Sequence, residues 1–131
     1  INMVNAGAKY LAAMNDSEGK YLVGNNTYRL RLPKNVPAHL FWSVTVYDAL
    51  TASGLDNGQP FPSINSMDKP VANPDGTFDF FFGPESPGAN KNWIKTVPEK
   101  GFFVILRLYG PEQSFFDLTW KPGDLQRIDR D

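Results

Sequence analysis

The run FFVILRLY at residues 102–109 constrains this chain more than any other stretch. In a strand, successive side chains point to opposite faces. Phe102, Val104, Leu106 and Leu108 therefore share one face, and Phe103, Ile105, Arg107 and Tyr109 share the other. The first set is a core face. The second is too apolar for open water and too polar for a dry core, so something should partly cover it.

The same two-residue period recurs along the chain. In TYRLRL, Tyr28, Leu30 and Leu32 face inward while Thr27, Arg29 and Arg31 face outward. Beyond Pro33 and Pro37, LFWSVTVYD sets Leu40, Trp42, Val44 and Val46 against Phe41, Ser43, Thr45 and Tyr47. TFDFFF sets Phe78, Phe80 and Phe82 against Thr77, Asp79 and Phe81. Residues 9–14, NWIKTV and LQRI read as further short strands, the last at an edge. SINSMD is an edge-strand candidate within a long segment, residues 49–73, that otherwise reads as loop.

The 11 prolines and 11 glycines fall between these runs, as turns between short strands require. Asn73-Pro74-Asp75-Gly76 is the strongest such turn. Gly110-Pro111-Glu112 predicts the start of a helix of one or two turns reaching Leu118, with Pro111 at its first position. The pattern as a whole predicts an all-β fold: a jelly-roll-like antiparallel β-sandwich with one short helix, in a single domain over residues 1–131. Uneven loop lengths argue against a closed barrel.

Charge narrows the partners. With 13 basic and 14 acidic residues and a net charge of −1, no basic surplus exists to draw in nucleic acid. No apolar run is long enough to span a bilayer. The absence of cysteine excludes disulfides, thiol nucleophiles and thiolate metal sites. It leaves the compartment open, with a periplasmic or secreted location preferred over a cytoplasmic one.

Pooling the residues opposite the core gives Arg29, Arg31, Phe41, Tyr47, Asp79, Phe81, Phe103, Arg107 and Tyr109. Aromatic rings mixed with arginine are interface chemistry, because a guanidinium stacks on rings and pairs with carboxylates where lysine would stay hydrated. Two readings follow. Arg107 lies near a sheet edge of a plain sandwich and pairs with Asp79, or another domain or a ligand packs on the face.

In order along the chain, NVPAHLFWSVTVYD, QPFPS, NPDGTFDFFFGP, NWIKTVP and GFFVILRLYGP through FFDLTWKPGDLQRI resemble the bacterial family catalogued as domain of unknown function 1214. The resemblance runs from about Tyr10 to Ile128. It implies a jelly-roll-like sandwich forming the C-terminal part of a longer protein, behind a second domain of unknown function. The chain would then be a fragment of a two-domain protein, and the mixed face would meet the missing partner. The family brings no activity and no catalytic residues to map.

Catalytic chemistry finds little support. His39 is the only histidine, with no second imidazole to share a metal and no Gly-x-Ser-x-Gly elbow to serve. Asp75-Gly76 and Asp56-Asn57-Gly58 are turn sequences that do not continue as calcium loops. No metal and no cofactor is expected. Asp48 ends a core strand and reads first as a turn cap. In the rival reading it pairs with Glu85 (or Asp68) as the acid and base of a hydrolase acting on a glycan or glycan-linked amide. Trp42, Trp93 and Trp120 read as core more readily than as sugar platforms. The function expected is a non-enzymatic interaction module that packs on an upstream domain or a second copy and takes a carbohydrate or extended ligand. Tyr47, Asp48, Phe103, Arg107 and Tyr109 carry its surface, and residues 59–68 are its candidate lid.

Overall fold

The computed structural model describes residues 7–59 and 62–128. Among these residues, eight strands form two four-stranded sheets. The first sheet holds β1 (Ala8–Ala13), β7 (Phe102–Pro111), β3 (Ala38–Asp48) and β4 (Ser63–Asn65), in that order. The second holds β6 (Asn92–Lys95), β5 (Phe78–Gly83), β2 (Tyr28–Leu32) and β8 (Gln126–Arg127). One short helix, α1 (Gln113–Phe116), follows β7. The all-β sandwich expected from the alternation is the fold observed. Its pairings are antiparallel except β5 with β6, which run parallel, so the second sheet is mixed.

The inner faces are the ones the alternation selects. Trp42, Val44, Val46, Phe102, Val104, Leu106 and Leu108 are buried from the first sheet, and Tyr28, Leu30, Leu32, Phe80 and Phe82 from the second. Trp42 meets Phe78 and Phe80 edge-on at centroid distances of 5.3 and 5.8 Å and so ties the sheets together. Tyr28 buries its ring completely because its hydroxyl accepts from Val23 N–H at 3.2 Å and from the Asn26 amide at 3.1 Å. Trp120 is also buried, whereas Trp93 is half-buried with its indole N–H on Gly83 O.

Three local expectations are corrected. Leu40, in phase with the core, is 67% exposed, because the β3–β7 register shifts between Ala38 and Phe41. A bulge of one residue there turns Leu40 outward. Second, α1 starts at Gln113 and not at Pro111, which stays in β7 opposite Ala38. Third, the proposed lid is built into the sheet. Ser63–Asn65 pairs with β3 as the expected edge strand, and a 3-10 turn over Ser66–Asp68 is closed by a capping box between Asn65 and Asp68. Further back, the Asn57 amide donates to Lys95 O at 2.7 Å and Gln59 Oε1 accepts from Lys95 N–H at 2.9 Å. The loop is thereby pinned to β6. Pro60 and Phe61, within the expected lid, lie outside the described residues.

Candidate functional site

Sheet topology divides the pooled outward residues into two groups on opposite sides of the sandwich. Arg29, Arg31, Asp79 and Phe81 belong to β2 and β5; Phe41, Tyr47, Phe103, Arg107 and Tyr109 belong to β3 and β7. The first group is a solvated ion-pair face. Asp79 lies directly across from Arg31, which grips it through Nε at 2.7 Å and Nη2 at 2.9 Å. The suggested pairing of Asp79 with Arg107 is therefore overturned: the two residues sit on different sheets, and Arg31 takes the carboxylate.

The second group forms one surface. Register places Phe41 opposite Tyr109, Ser43 opposite Arg107, Thr45 opposite Ile105 and Tyr47 opposite Phe103. Phe41 and Tyr109 stack at 4.3 Å, and Tyr47 and Phe103 at 5.2 Å, with planes within 13° and 11° of parallel. The two pairs stand six positions apart along β3, roughly 20 Å at strand rise. Between these aromatic pillars lies a floor of buried Ser43 and Thr45 beside half-buried Ile105 and Arg107. Thr45 and Ser63 hydroxyls are 2.9 Å apart and pair with each other.

Arg107 is fixed across this floor. Its guanidinium donates to the Tyr47 hydroxyl and stands 5.4 Å from the ring centroids of both Tyr47 and Tyr10. No carboxylate pairs with it among the described residues. Its positive charge thus rests on two rings and one phenol, leaving the remaining N–H groups for an incoming acceptor. Tyr10, opposite Arg107 on β1, extends the face and is 60% exposed. Sequence reading missed it, because only pairing with β7 shows where Tyr10 lands.

Asp48 and Glu85 stand apart in role. Asp48 Oδ1 accepts from Leu50 N–H at 2.8 Å and Thr51 N–H at 3.3 Å, and its Oδ2 is 3.3 Å from Lys100 Nζ. This is the turn-cap reading. Glu85 is exposed on the loop after β5, and neither acid lines the cavities found beside β1 and β2. Asp68 serves its own capping box. His39 is exposed, and among the described residues no cluster of three or more His, Cys, Asp or Glu could hold a metal. No helix among them is long and apolar enough to cross a membrane.

Asp48, Asp75 and Asp79 make stability depend on pH. All three fall below the usual carboxylate range: Asp48 through the Leu50 N–H, Asp75 through the Thr77 hydroxyl and Asp79 through Arg31. Each binds its proton less tightly folded than unfolded, so its contribution is full above the unfolded value of about 3.9 and disappears as pH falls through the lower folded value. The midpoint of urea unfolding should be flat from pH 7 to 5 and fall steeply below pH 4. Asp79→Asn should shallow that fall. An unchanged slope in this variant would contradict the assignment.

The family model for "Protein of unknown function (DUF1214)" matches residues 7–113. A crystal structure of a Vibrio parahaemolyticus protein is similar, with 26% identity and a TM-score of 0.77, covering 93% of this chain and 31% of that one. An uncharacterised protein from Burkholderia cenocepacia shares the fold at 18% identity and TM-score 0.70, covering 92% of this chain and 29% of that one. The chain thus spans less than a third of the length of these solved structures. No curated protein matches it. With the alternating strands, the two-sheet topology and the family model in agreement over most of its length, the chain belongs to the family described as protein of unknown function DUF1214.

Proposed function

We propose that the domain is a non-enzymatic interaction module, and that the β1–β7–β3 outer face packs against another part of a longer protein. The observation that carries this reading is the arrangement of half-buried aromatic pairs around a pre-oriented Arg107 that has no carboxylate partner among the described residues. Aromatic and arginine anchors of this kind concentrate binding energy in protein interfaces. That similar solved chains are about three times as long supplies room for the partner in the same polypeptide.

Protein packing is favoured here over a sugar. A sugar ring stacks on an open aromatic face, whereas Phe41, Tyr109, Tyr47 and Phe103 each spend one ring face on a neighbour. The glycan-hydrolase alternative has no observation to favour it, since Asp48 is engaged as a cap.

Tyr21, 84% exposed, provides an internal reference for a labelling test on the longer protein. Tyr47 and Tyr109 should react with a tyrosine-modifying reagent at least tenfold more slowly than Tyr21. Arg107→Ala should raise their reactivity, in line with a loss of about 2 kcal/mol at the interface. Labelling of Tyr47 and Tyr109 at the rate of Tyr21 in the wild-type protein would sink the reading. Protection that appears only as molar mass doubles would assign the face to a second copy instead.

A further inference from the structure

Away from that face, the edge of β1 and the strap running from α1 through residues 117–125 enclose a half-open cavity of about 430 Å³. Leu11 and Ala13 of β1, Leu106 of β7, Leu30 of β2 and Trp120 of the strap form its walls. Interiors are packed nearly as densely as organic crystals and keep few spaces larger than a water molecule. This one falls within the range of small-molecule sites, and has about three times the roughly 150 Å³ that accommodates benzene.

The walls are held by contacts that do not depend on what lies between them. Ser17 N–H donates to Leu125 O at 2.8 Å, and Gly123 N–H to Arg31 O at 2.9 Å. The buried indole of Trp120 shares its N–H between Pro33 O and Lys34 O, each at 3.2 Å. A strap anchored at three points cannot settle inward. On the opposite wall, β1 presents Ala13 where a larger side chain would fill the space.

The polar groups lie at the rim. Lys121 and Asp124 both line the opening, and neither forms an ion pair among the described residues. Lys9 shares the inward side of β1 with Leu11 and Ala13, and its Nζ stands 6.0 Å from the Phe116 ring on α1. Lys9 is not among the residues that line the cavity, so one ammonium, Lys121, and one carboxylate, Asp124, stand at its opening. A carboxylate head is complementary to the Lys121 ammonium, the one cation in the described lining, with which no carboxylate among the described residues pairs.

We infer that this cavity binds a small amphiphile, with a hydrocarbon body against Leu11, Ala13, Leu106 and Trp120 and a single carboxylate head at Lys121. The site is separate from the outer aromatic face and does not depend on its role.

Titrating decanoate into the full-length protein should give saturable binding with one site per chain below the concentration at which decanoate aggregates. Ala13→Leu, which fills the cavity, should weaken decanoate and decanol alike by more than tenfold. Lys121→Ala should weaken decanoate about threefold to fivefold and leave decanol unchanged, the range expected of an exposed ion pair. In the unmodified protein, methyl resonances of Leu11 and Leu118 should shift with decanoate while those of Leu22, buried outside the cavity, should not. This readout stands even if Ala13→Leu fails to fold. Absence of saturable binding, which would mean that the rest of the chain fills the space or that no ligand does, overturns the site. So does an equal shift at Leu22, and an unchanged decanoate affinity in Lys121→Ala overturns the head-group assignment.

Discussion

Gly24→Ala is expected to destabilise the domain by about 3 kcal/mol or more, at or beyond the upper end of ordinary overpacking. A β-carbon at this position would lie 1.9 Å from Val97 O and 2.5 Å from Val97 C. The neighbour is backbone, so no side chain can swing away. Nor can Gly24 retreat, because its N–H donates to Lys100 O at 2.9 Å and its carbonyl accepts from the buried Thr96 hydroxyl at 2.9 Å. What this glycine supplies is room. Gly54→Ala is the control: there a β-carbon meets only Pro62 Cγ at 3.5 Å, an ordinary contact. Denaturant midpoints should separate the two variants clearly. A Gly24→Ala protein as stable as Gly54→Ala would show that the close approach of residues 24 and 97 is wrong.

Phe80→Ala should cost about 3–5 kcal/mol, the range for deleting a buried aromatic side chain. Phe80 is fully buried in the second sheet and meets Trp42 of the first at 5.8 Å. Its loss opens a cavity at the point where the sheets interlock, and domains of this size have only about 5–15 kcal/mol in hand. Thermal unfolding followed by tryptophan fluorescence should show a fall of more than about 10 °C. Phe81→Ala, one residue along and facing outward beneath Lys91, should shift it far less. Comparable losses at positions 80 and 81 would contradict the assignment of faces.

Much of the fold was legible because a strand's period of two converts composition directly into sides. FFVILRLY and TYRLRL sort correctly into inner and outer residues with no tertiary information. Leu40 departs from its phase because a bulge is a property of two paired strands, and β7 is more than sixty residues away from it. Pro111 suits a helix start locally, but Ala38 claims it for the sheet. Asn57 and Gln59 look like turn residues, and nothing nearby indicates that they would bond to Lys95.

The candidate site was legible only in part, for the same reason. That Arg107 and its neighbours lie on the face opposite the core was visible from their alternation with Val104, Leu106 and Leu108. Which residues shared a surface was not. Arg29, Arg31 and Asp79 carry the charge of a wetted face, and their separation from the aromatic set was hinted at by that difference alone.

The order of residues by itself determined which side of each strand is apolar, where the turns fall and that the chain is built of short strands, because these depend on neighbours one to four positions apart. Only the tertiary structure decided that the outward residues form two faces, that Arg31 and not Arg107 holds Asp79, and that β1 and the strap leave a cavity between them. Strand pairing and sheet stacking join residues tens of positions apart, and local chemistry does not specify which distant strand will be the partner.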